Sequence, residues 1–484
     1  MDILFVCTEL MPFVKVGGLA DVAAALPKAL RALGHKVTVV LPRFPAIEEG
    51  GLLVARRLTP LKFQLGDRSV EVTLFDGRLA SQVDVILVDA PGLYDRRGVY
   101  GEGEDYPDNA LRFATLSSAA AEIARARAAS GQPYDIVFCN DWQTALVPTY
   151  IERLSKETSE LGRTRTVLAL HNVEHQGVFP KEELPNVGLP QSSFTVDGLE
   201  FYGKINLLKQ GILSADAVTA VSPTYARELV QTGGGHGLEG VLRARKDGVT
   251  GILNGIDYGV WNPTTDSAIA ARYDAQDLAP KARCKGALQK ELGLPIDLAA
   301  PLIVSVGRMV PQKGTDLVAS LLPKLLAATD AQVAIAGDGD VDLIMKIEQA
   351  VAKSGGRAVF TRAASEALVH RMFAGADLVL VPSRREPCGL VQLFAQRYGA
   401  LPVAHATGGI VDTVVDCDAQ LETGTGFLYQ EDTDAELLAA TERGIAAMVH
   451  ARWPELIRRV MRLDRSWDGP ARRYDQLMQK LMTR

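Results

Sequence analysis

The stretch Lys15-Val16-Gly17-Gly18-Leu19-Ala20-Asp21-Val22 follows the apolar run Ile3-Leu4-Phe5-Val6 and opens a helical pattern. A glycine pair at a helix start bares backbone N–H groups where the helix dipole is positive, which makes an anion site. Lys15 adds a full positive charge. A fainter copy stands near the other end, at Thr407-Gly408-Gly409-Ile410-Val411-Asp412-Thr413-Val414. Two such turns, one per half, predict two similar domains facing a phosphate-bearing substrate across a cleft. Taken singly, each turn is equally a tight strand–helix connection, because glycine punctuates βα units generally.

At 484 residues the chain is too long for one small core, and two large domains are expected. With 47% apolar and 23% charged residues it reads as an ordinary soluble globular protein. A net charge of −6 argues against general binding to nucleic acid or anionic membranes, so a polyanionic substrate needs a local basic cluster. No apolar run reaches the ~18 residues of a membrane span. The start, Met1-Asp2-Ile3-Leu4-Phe5-Val6, lacks a basic leader and reads as a buried strand, not a signal peptide. Cys7, Cys139, Cys284, Cys388 and Cys417 are scattered and odd in number, forming neither a disulfide framework nor a metal cluster. A reducing, cytoplasmic setting follows.

Strand 2–8, helix 18–33 closed by Gly34, and strand 36–41 make a βαβ unit, with Pro27 as a kink. Apolar runs recur at 83–89, 135–139, 166–170 and 217–221. Residues 93–108 are polar and turn-rich and read as a long functional loop, while Gly233-Gly234-Gly235-His236-Gly237 reads as mobile. Residues 254–300 read as an irregular link. The second half restarts with strands at 302–306, 332–336, 357–361, 377–381 and 401–404. Helices are expected at 314–328, 340–353, 365–374 and 389–398. Alternating strands and helices imply parallel sheets with right-handed crossovers, hence two doubly wound α/β domains. Ligands in such folds sit beyond the carboxyl ends of the strands, where both glycine turns lie.

Four further groups of residues carry chemistry. Arg308 and Lys313, five residues apart after strand 302–306, can clamp a diphosphate with a fork and a point charge; they are otherwise a surface pair. In Arg384-Arg385-Glu386-Pro387-Cys388-Gly389-Leu390, Glu386 can accept sugar hydroxyls while amides of residues 388–390 face a ligand. A capped helix start would look the same. Cys388 is favoured as a small residue chosen for close approach over a thiol nucleophile, because no base neighbours it in sequence. His171-Asn172 ends the strand Val167-Leu168-Ala169-Leu170, and Asp141-Trp142 follows strand 135–139. A carboxylate beside an aromatic ring suits carbohydrate, though Asp141 is equally placed to cap a helix. Asn254-Gly255-Ile256-Asp257 marks the domain junction.

This ordered set resembles the bacterial glycogen synthases of the starch synthase family, glycosyltransferase family 5, over essentially the whole length. The resemblance rests on Lys15 to Val22, Asp95-Arg96, Asp105-Tyr106-Pro107-Asp108-Asn109, Asp141-Trp142, His171-Asn172 and Gln176-Gly177. It continues through Asn254 to Asp257, Arg308, Lys313-Gly314, Glu386 to Leu390, Thr407-Gly408-Gly409 and Trp467. It implies a GT-B fold with an acceptor-side domain over 1–253, a nucleotide-sugar domain over 254–460, and a terminal helix, 461–484, returning to the first domain. The implied activity is transfer of glucose, with retention, from ADP-glucose to the non-reducing end of an α-1,4-glucan such as glycogen or a malto-oligosaccharide, without a cofactor or metal. Carried over by position, Lys15, Gly17, Gly18 and Asp21 belong to donor binding, with Asn254, Cys388, Gly389, Leu390, Thr407 and Gly408. Arg308 and Lys313 resemble the cations that neutralise the leaving ADP, and Glu386 the carboxylate holding the donor glucose. His171 resembles the histidine near the glucose 6-hydroxyl, and Asp141 an acid of the sugar site. The domains are expected to close on the donor through hinges near 250–260 and 455–467.

Three positions depart from the family pattern: Val16 where many bacterial members carry Thr, His175 where Tyr is usual, and Phe394 where some related GT-B enzymes place a second glutamate. Two other readings remain open at this point: a retaining transferase using UDP-glucose or another acceptor, and a catalytically silent glucan-binding protein on the same fold. Oligomeric state is not legible.

Overall fold

The computed structural model describes residues 1–483. It divides into two compact units: residues 1–254 with the chain from Trp467 onward, and residues 255–466.

The first unit is built on a ten-stranded sheet. From one edge run Thr250–Gly251, Ala217–Ala220, Arg165–Leu170, Ile136–Asn140, Asp2–Val6, Lys36–Pro42 and Asp84–Asp89, all parallel. Parallel strands are covered on both faces and therefore read as continuous apolar runs. Ile3, Leu4, Phe5 and Val6 are accordingly all without exposure. Beyond Asp84–Asp89 the sheet turns antiparallel through Arg68–Arg78, which also pairs with Val54–Arg56 and Leu61–Leu65. These three strands have no counterpart in the sequence reading, because one face is wet and their apolar residues alternate with charged ones.

The helix Gly18–Ala32 crosses from the central strand to Lys36–Pro42, with Pro27 inside it. Asn109–Ala129 is buried around most of its circumference and so carries little amphipathic signal. The supposed loop at 93–108 holds a short hairpin, Gly101–Glu102 with Glu104–Asp105. Helix Glu239–Ala244 directly follows the glycine-rich segment. The last helix, Asp468–Met482, packs in this unit: Tyr474 meets Phe138 edge-on at 5.4 Å, and Asp475 bonds the His35 ring at 3.0 Å.

The second unit has a six-stranded parallel sheet in the order Ala358–Arg362, Gln332–Gly337, Leu302–Val306, Leu378–Val381, Leu401–His405, Phe427–Tyr429. The chain winds outward from Leu302–Val306 in one direction, returns, and winds outward in the other. The crevice between Leu302–Val306 and Leu378–Val381 is therefore the topological switch point, the place where such sheets bind ligands. No helix among the described residues is long and apolar enough to cross a membrane.

Two expectations are corrected here. The helix expected at 389–398 begins at Val391, because Gly389 takes a left-handed φ of 73° and holds the preceding residues in a loop. The supposedly irregular segment 254–300 contains the helix Ala279–Glu291. Its inward residues include Lys281, Lys285 and Gln289, so its buried face is hidden from any hydrophobic pattern. Lys285 Nζ donates to Asp377 Oδ2 at 2.7 Å. Lys281 Nζ donates to two carbonyls at helix C-termini, Ala374 O in the last turn of Glu366–Gly375 at 2.9 Å and Tyr398 O just past Val391–Arg397 at 3.0 Å, where the helix dipoles are negative.

Burial pushes the Lys281 ammonium down from 10.5 to about 8. Between those values the folded chain has shed a proton that the unfolded chain keeps. The unfolded state binds more protons, so this residue makes stability rise with pH across that window. The expected outcome is that the stability of the native chain relative to Lys281→Met increases from about pH 8 to about pH 10.5 and is flat below it. Denaturant melts of the two proteins at several pH values check this.

Candidate active site

In the second unit the candidate side chains stand where the switch point places them. The strand Leu302–Val306 leads through Gly307 to Arg308. A single tight turn, Pro311–Lys313, then ends on Gly314, whose φ is 67°. A Cβ at Gly314 would fall 2.0 Å from the Pro382 carbonyl oxygen. The glycine thus serves two needs, a left-handed backbone and a close approach to the next strand end. That approach brings Lys313 Nζ to Glu386 Oε2 at 2.5 Å, and Ser383 Oγ donates to the same oxygen at 2.9 Å. Glu386 is 7% exposed, so its charge depends on these partners. Arg308, Lys313, Ser383 and Glu386 line one small cavity of about 50 Å³. Arg308 is exposed and makes no ion pair among the described residues.

The backbone after Glu386 is shaped by the second glycine turn and by Gln392, which has no sequence signature. Gly409 N donates to Glu386 O at 2.9 Å, and a Cβ on Gly409 would strike the Cys388 backbone at 2.4 Å. The second glycine turn is thus pressed against Cys388–Leu390, which joins Thr407 and Gly408 to that loop. Gln392 Nε2 donates to the carbonyls of Cys388 and Gly389, while its Oε1 is buried without a partner. Cys388 is buried.

In the first unit, Asp141 follows strand Ile136–Asn140 with φ 54° and ψ −169°, a backbone that a non-glycine residue adopts under strain. It does not cap the following turn with its side chain. Instead Asp141 Oδ1 accepts from His171 N at 2.7 Å and Asn172 N at 3.3 Å, tying together the ends of neighbouring strands. Loss of hydration pushes its carboxyl up to about 7. The same cause holds the His171 imidazole down to about 4, so that ring is neutral at ordinary pH. His171 Nε2 lies 2.9 Å from Asn140 Oδ1, and Asn140 Nδ2 donates to Val6 O, which fixes the amide. Nε2 therefore carries the proton, and Nδ1 is left as an acceptor.

The first glycine turn differs from its sequence reading. Its amides are not all bare: Val16 N and Gly17 N both donate to Glu9 Oε2 at 2.7 Å. Glu9 is 3% exposed, and its other oxygen accepts from Tyr100 Oη at 2.7 Å. An internal carboxylate takes the anion's place at these two amides, and the Gly18 amide donates to no backbone carbonyl among the described residues. Lys15 Nζ reaches Asp21 at 3.0 Å. Burial raises the Asp21 carboxyl, and Lys15 partly offsets this. Asn254 is buried, with Oδ1 lacking a partner.

Glu9, Tyr100, Asn140, Ser383 and Gln392 are the participants missed by motif reading. Glu9 sits in an apolar run and Tyr100 in a loop, and only the fold reveals that they meet. The signal available was a lone charge, Glu9, directly after a buried strand. Lys15, Val16, Tyr100, Arg97, Phe13 and Phe44 enclose a second cavity, of about 440 Å³. Among the described residues no three His, Cys, Asp or Glu side chains converge as metal ligands.

Gly314→Ala is expected to destabilise the chain by about 3 kcal/mol or more and to lower activity, through strain at positive φ and the clash with Pro382. Gly307→Ala, where an added Cβ meets nothing within 4 Å, should change stability by less than about 1 kcal/mol. Thermal unfolding of the two variants side by side checks the contrast.

The chain is similar to known proteins over nearly its whole length. Residues 2–244 match the starch synthase catalytic domain family, and residues 293–446 the glycosyl transferases group 1 family. A glycogen synthase from Anaeromyxobacter sp. (strain Fw109-5) is 45% identical over 99% of both chains. Glycogen synthase 2 from Geobacter metallireducens is 41% identical over 99% of this chain and 98% of its own. Among solved structures, the catalytic domain of starch synthase IV from Arabidopsis thaliana, bound to ADP and acarbose, superposes with a TM-score of 0.92 at 32% identity. It covers 100% of this chain and 99% of its own. A sucrose-phosphate synthase from Thermosynechococcus elongatus, at 18% identity and a TM-score of 0.63, shares the fold.

Proposed function

The chain belongs to the starch synthase family, a GT-B glucosyltransferase family moving glucose from ADP-glucose to a glucan, and for that reaction we propose the following roles. Arg308 and Lys313 neutralise the diphosphate as it leaves. Their value grows as charge develops on the bridging oxygen, so they act mainly in the transition state. Glu386 holds the donor glucose by accepting from its hydroxyls, and Lys313 and Ser383 fix its carboxylate. The Cys388–Leu390 backbone and Thr407-Gly408 meet the donor through amides, and Cys388 is a packing residue. Lys15 and the Gly18 amide serve the donor phosphates, with Asp21 orienting Lys15. Gly17 acts on the turn rather than on the ligand, because its amide is held by Glu9. His171, neutral, bonds a donor hydroxyl, Asp141 accepts a sugar hydroxyl, and Asn254 offers its unpartnered Oδ1.

Configuration at C1 is retained. The C1–O bond to the diphosphate breaks, the glucan 4-hydroxyl attacks the same face, and the departing phosphate oxygen takes the hydroxyl proton. The observation that carries this reading is the Arg308, Lys313 and Glu386 set in one cavity at the switch point. A cytoplasmic setting, with no nucleic-acid or membrane partner, belongs to the same proposal; all five cysteines are buried and none is disulfide-bonded.

Incubation with ADP-glucose or UDP-glucose, with and without glycogen, tests the function. ADP release with glucan growth is expected. UDP release, or no release with glycogen still bound, would select one of the alternatives. Within that assay Glu386→Gln should lower kcat by about a hundredfold, the loss of one hydrogen bond to a charged group, while ADP affinity by calorimetry changes little. A variant that loses ADP binding yet turns over normally at saturation would overturn the placement of Glu386. Because Asp141 ionises near pH 7, kcat/KM for the glucan should fall as pH drops below that value. Asp141→Asn should be slow and flat over the same range.

A further inference from the structure

We propose that the hairpin built by Glu200–Phe201 and Lys204–Asn206 carries a second contact for the glucan, a stacking platform formed by Tyr202 and separate from the reacting groups. The proposal rests on the glucan reading above. The two strands are joined by Tyr202 and Gly203, with φ of 52° and 80°. Two-residue turns of this kind favour Asn, Asp or Gly at the first position, where a bulky ring is strained. Tyr202 is nevertheless there, and it is 82% exposed. Core packing does not account for it.

The surroundings hold this unfavourable tip in place. Glu200 Oε1 accepts from Gly203 N at 2.7 Å. Lys209 is buried, and its Nζ donates to Val196 O at 2.5 Å and Glu200 O at 2.6 Å, pinning the base of the hairpin. The Phe201 ring stands edge-on to Tyr202 at 4.7 Å. The glycine-rich segment that the reaction leaves unused lies against this pair. A Cβ at Gly237 would fall 2.9 Å from Phe201 Cζ and 3.5 Å from Tyr202 Cε2, so only glycine lets the backbone come that close. The neighbouring His236 is also left-handed, with φ 50°, and its carbonyl accepts from Gln176 Nε2 at 3.1 Å. Asn206 Nδ2 donates to Gln176 Oε1 at 2.6 Å. Hairpin, glycine segment and the chain leaving His171 are thus one hydrogen-bonded body. Tyr202 lies at the turn of the hairpin, four residues before Asn206 at the end of its second strand.

A rigid, exposed aromatic ring suits the apolar face of a pyranose. Glu200 and Lys204 balance in charge, which disfavours a nucleotide or another anion. A single exposed ring falls far short of the roughly 800 Å² per partner that a stable protein interface needs. An α-1,4-glucan needs no such area, because it is a polymer already held at the reaction site. A second weak contact multiplies its affinity by acting on a tethered chain.

The test compares Tyr202→Ala and Tyr202→Trp with the native chain, using glycogen and maltotriose as acceptors. Tyr202→Ala should raise KM for glycogen about fivefold to tenfold, the worth of one lost aromatic contact, with kcat and the maltotriose KM unchanged. Tyr202→Trp should keep native affinity. Retardation in glycogen-containing native gels, run without donor, should follow the same order. Native glycogen affinity in Tyr202→Ala overturns the proposal, as does an equal loss with maltotriose, which would mark a structural role. A dimer in sedimentation that Tyr202→Ala abolishes would overturn it in favour of self-association. A native chain that transfers nothing from ADP-glucose counts against the proposed reaction, while the gel result still decides the platform.

Discussion

A carboxylate removed from water must find its partners inside the protein, and the first unit is organised around one that does. Glu9 stands just past the central strand, where the helix after the glycine turn presents its positive end. It accepts from Val16 N, Gly17 N and Tyr100 Oη. These bonds decide the shape of the turn that carries Lys15 and Gly18. They also pull residue 100 inward, and with it the 93–108 segment. That segment is braced from behind by Arg112, fully buried, whose guanidinium donates to Leu93 O, Val99 O and Asn109 Oδ1. Glu9 reaches further still, since its charge adds to the loss of hydration that raises Asp141. Removing the carboxylate would release a turn, a loop and a titrating group together.

The second unit solves the same problem with opposite parts. There the carboxylate, Glu386, is the group proposed to meet the ligand, and a cation and a hydroxyl hold it. In the first unit the carboxylate is consumed internally and the cation Lys15 stands at the turn. Both arrangements follow from parallel sheets, whose strand ends gather polar loops along one edge while the apolar strands stay covered.

The fold was legible where physics is local. Continuous apolar runs marked the parallel strands, and the two glycine turns marked where helices open after strands. The antiparallel strands between Val54 and Arg78 were not legible, because a half-wet strand carries a weak alternation. Helix Ala279–Glu291 was hidden for a different reason. Three of its five buried residues, Lys281, Lys285 and Gln289, are polar, and the two lysines are satisfied by carbonyls and Asp377, so burial and hydrophobicity part company. The site shows the same division. Charged residues beside glycines at strand ends could be found by spacing. Glu9, Tyr100 and Gln392 could not, because their role depends on which distant backbone atoms they meet.

The division among the basic residues of the second unit shows why spacing alone misleads. Arg308, Lys313 and Arg384 all lie near the switch point, and of these three Arg384 stands nearest in sequence to Glu386. Its guanidinium, however, donates to both oxygens of Asp316 and to Asp432 Oδ2. Those two carboxylates hold it well above its ordinary proton affinity, with Asp316 the stronger cause. A guanidinium bound in this way has few donors left and little net charge to offer a diphosphate. It acts as a rivet between the strand-end loop and the helix Thr315–Ala328. Lys313 has one carboxylate partner, Glu386, the group proposed to hold the sugar. Arg308 has none among the described residues. On the proposed reading, an anion arriving at this cavity would meet Arg308 first, with its donors unspent, and Lys313 second, through a shift in a pair already formed. The ordering comes from what each cation has already bound, not from its distance along the chain.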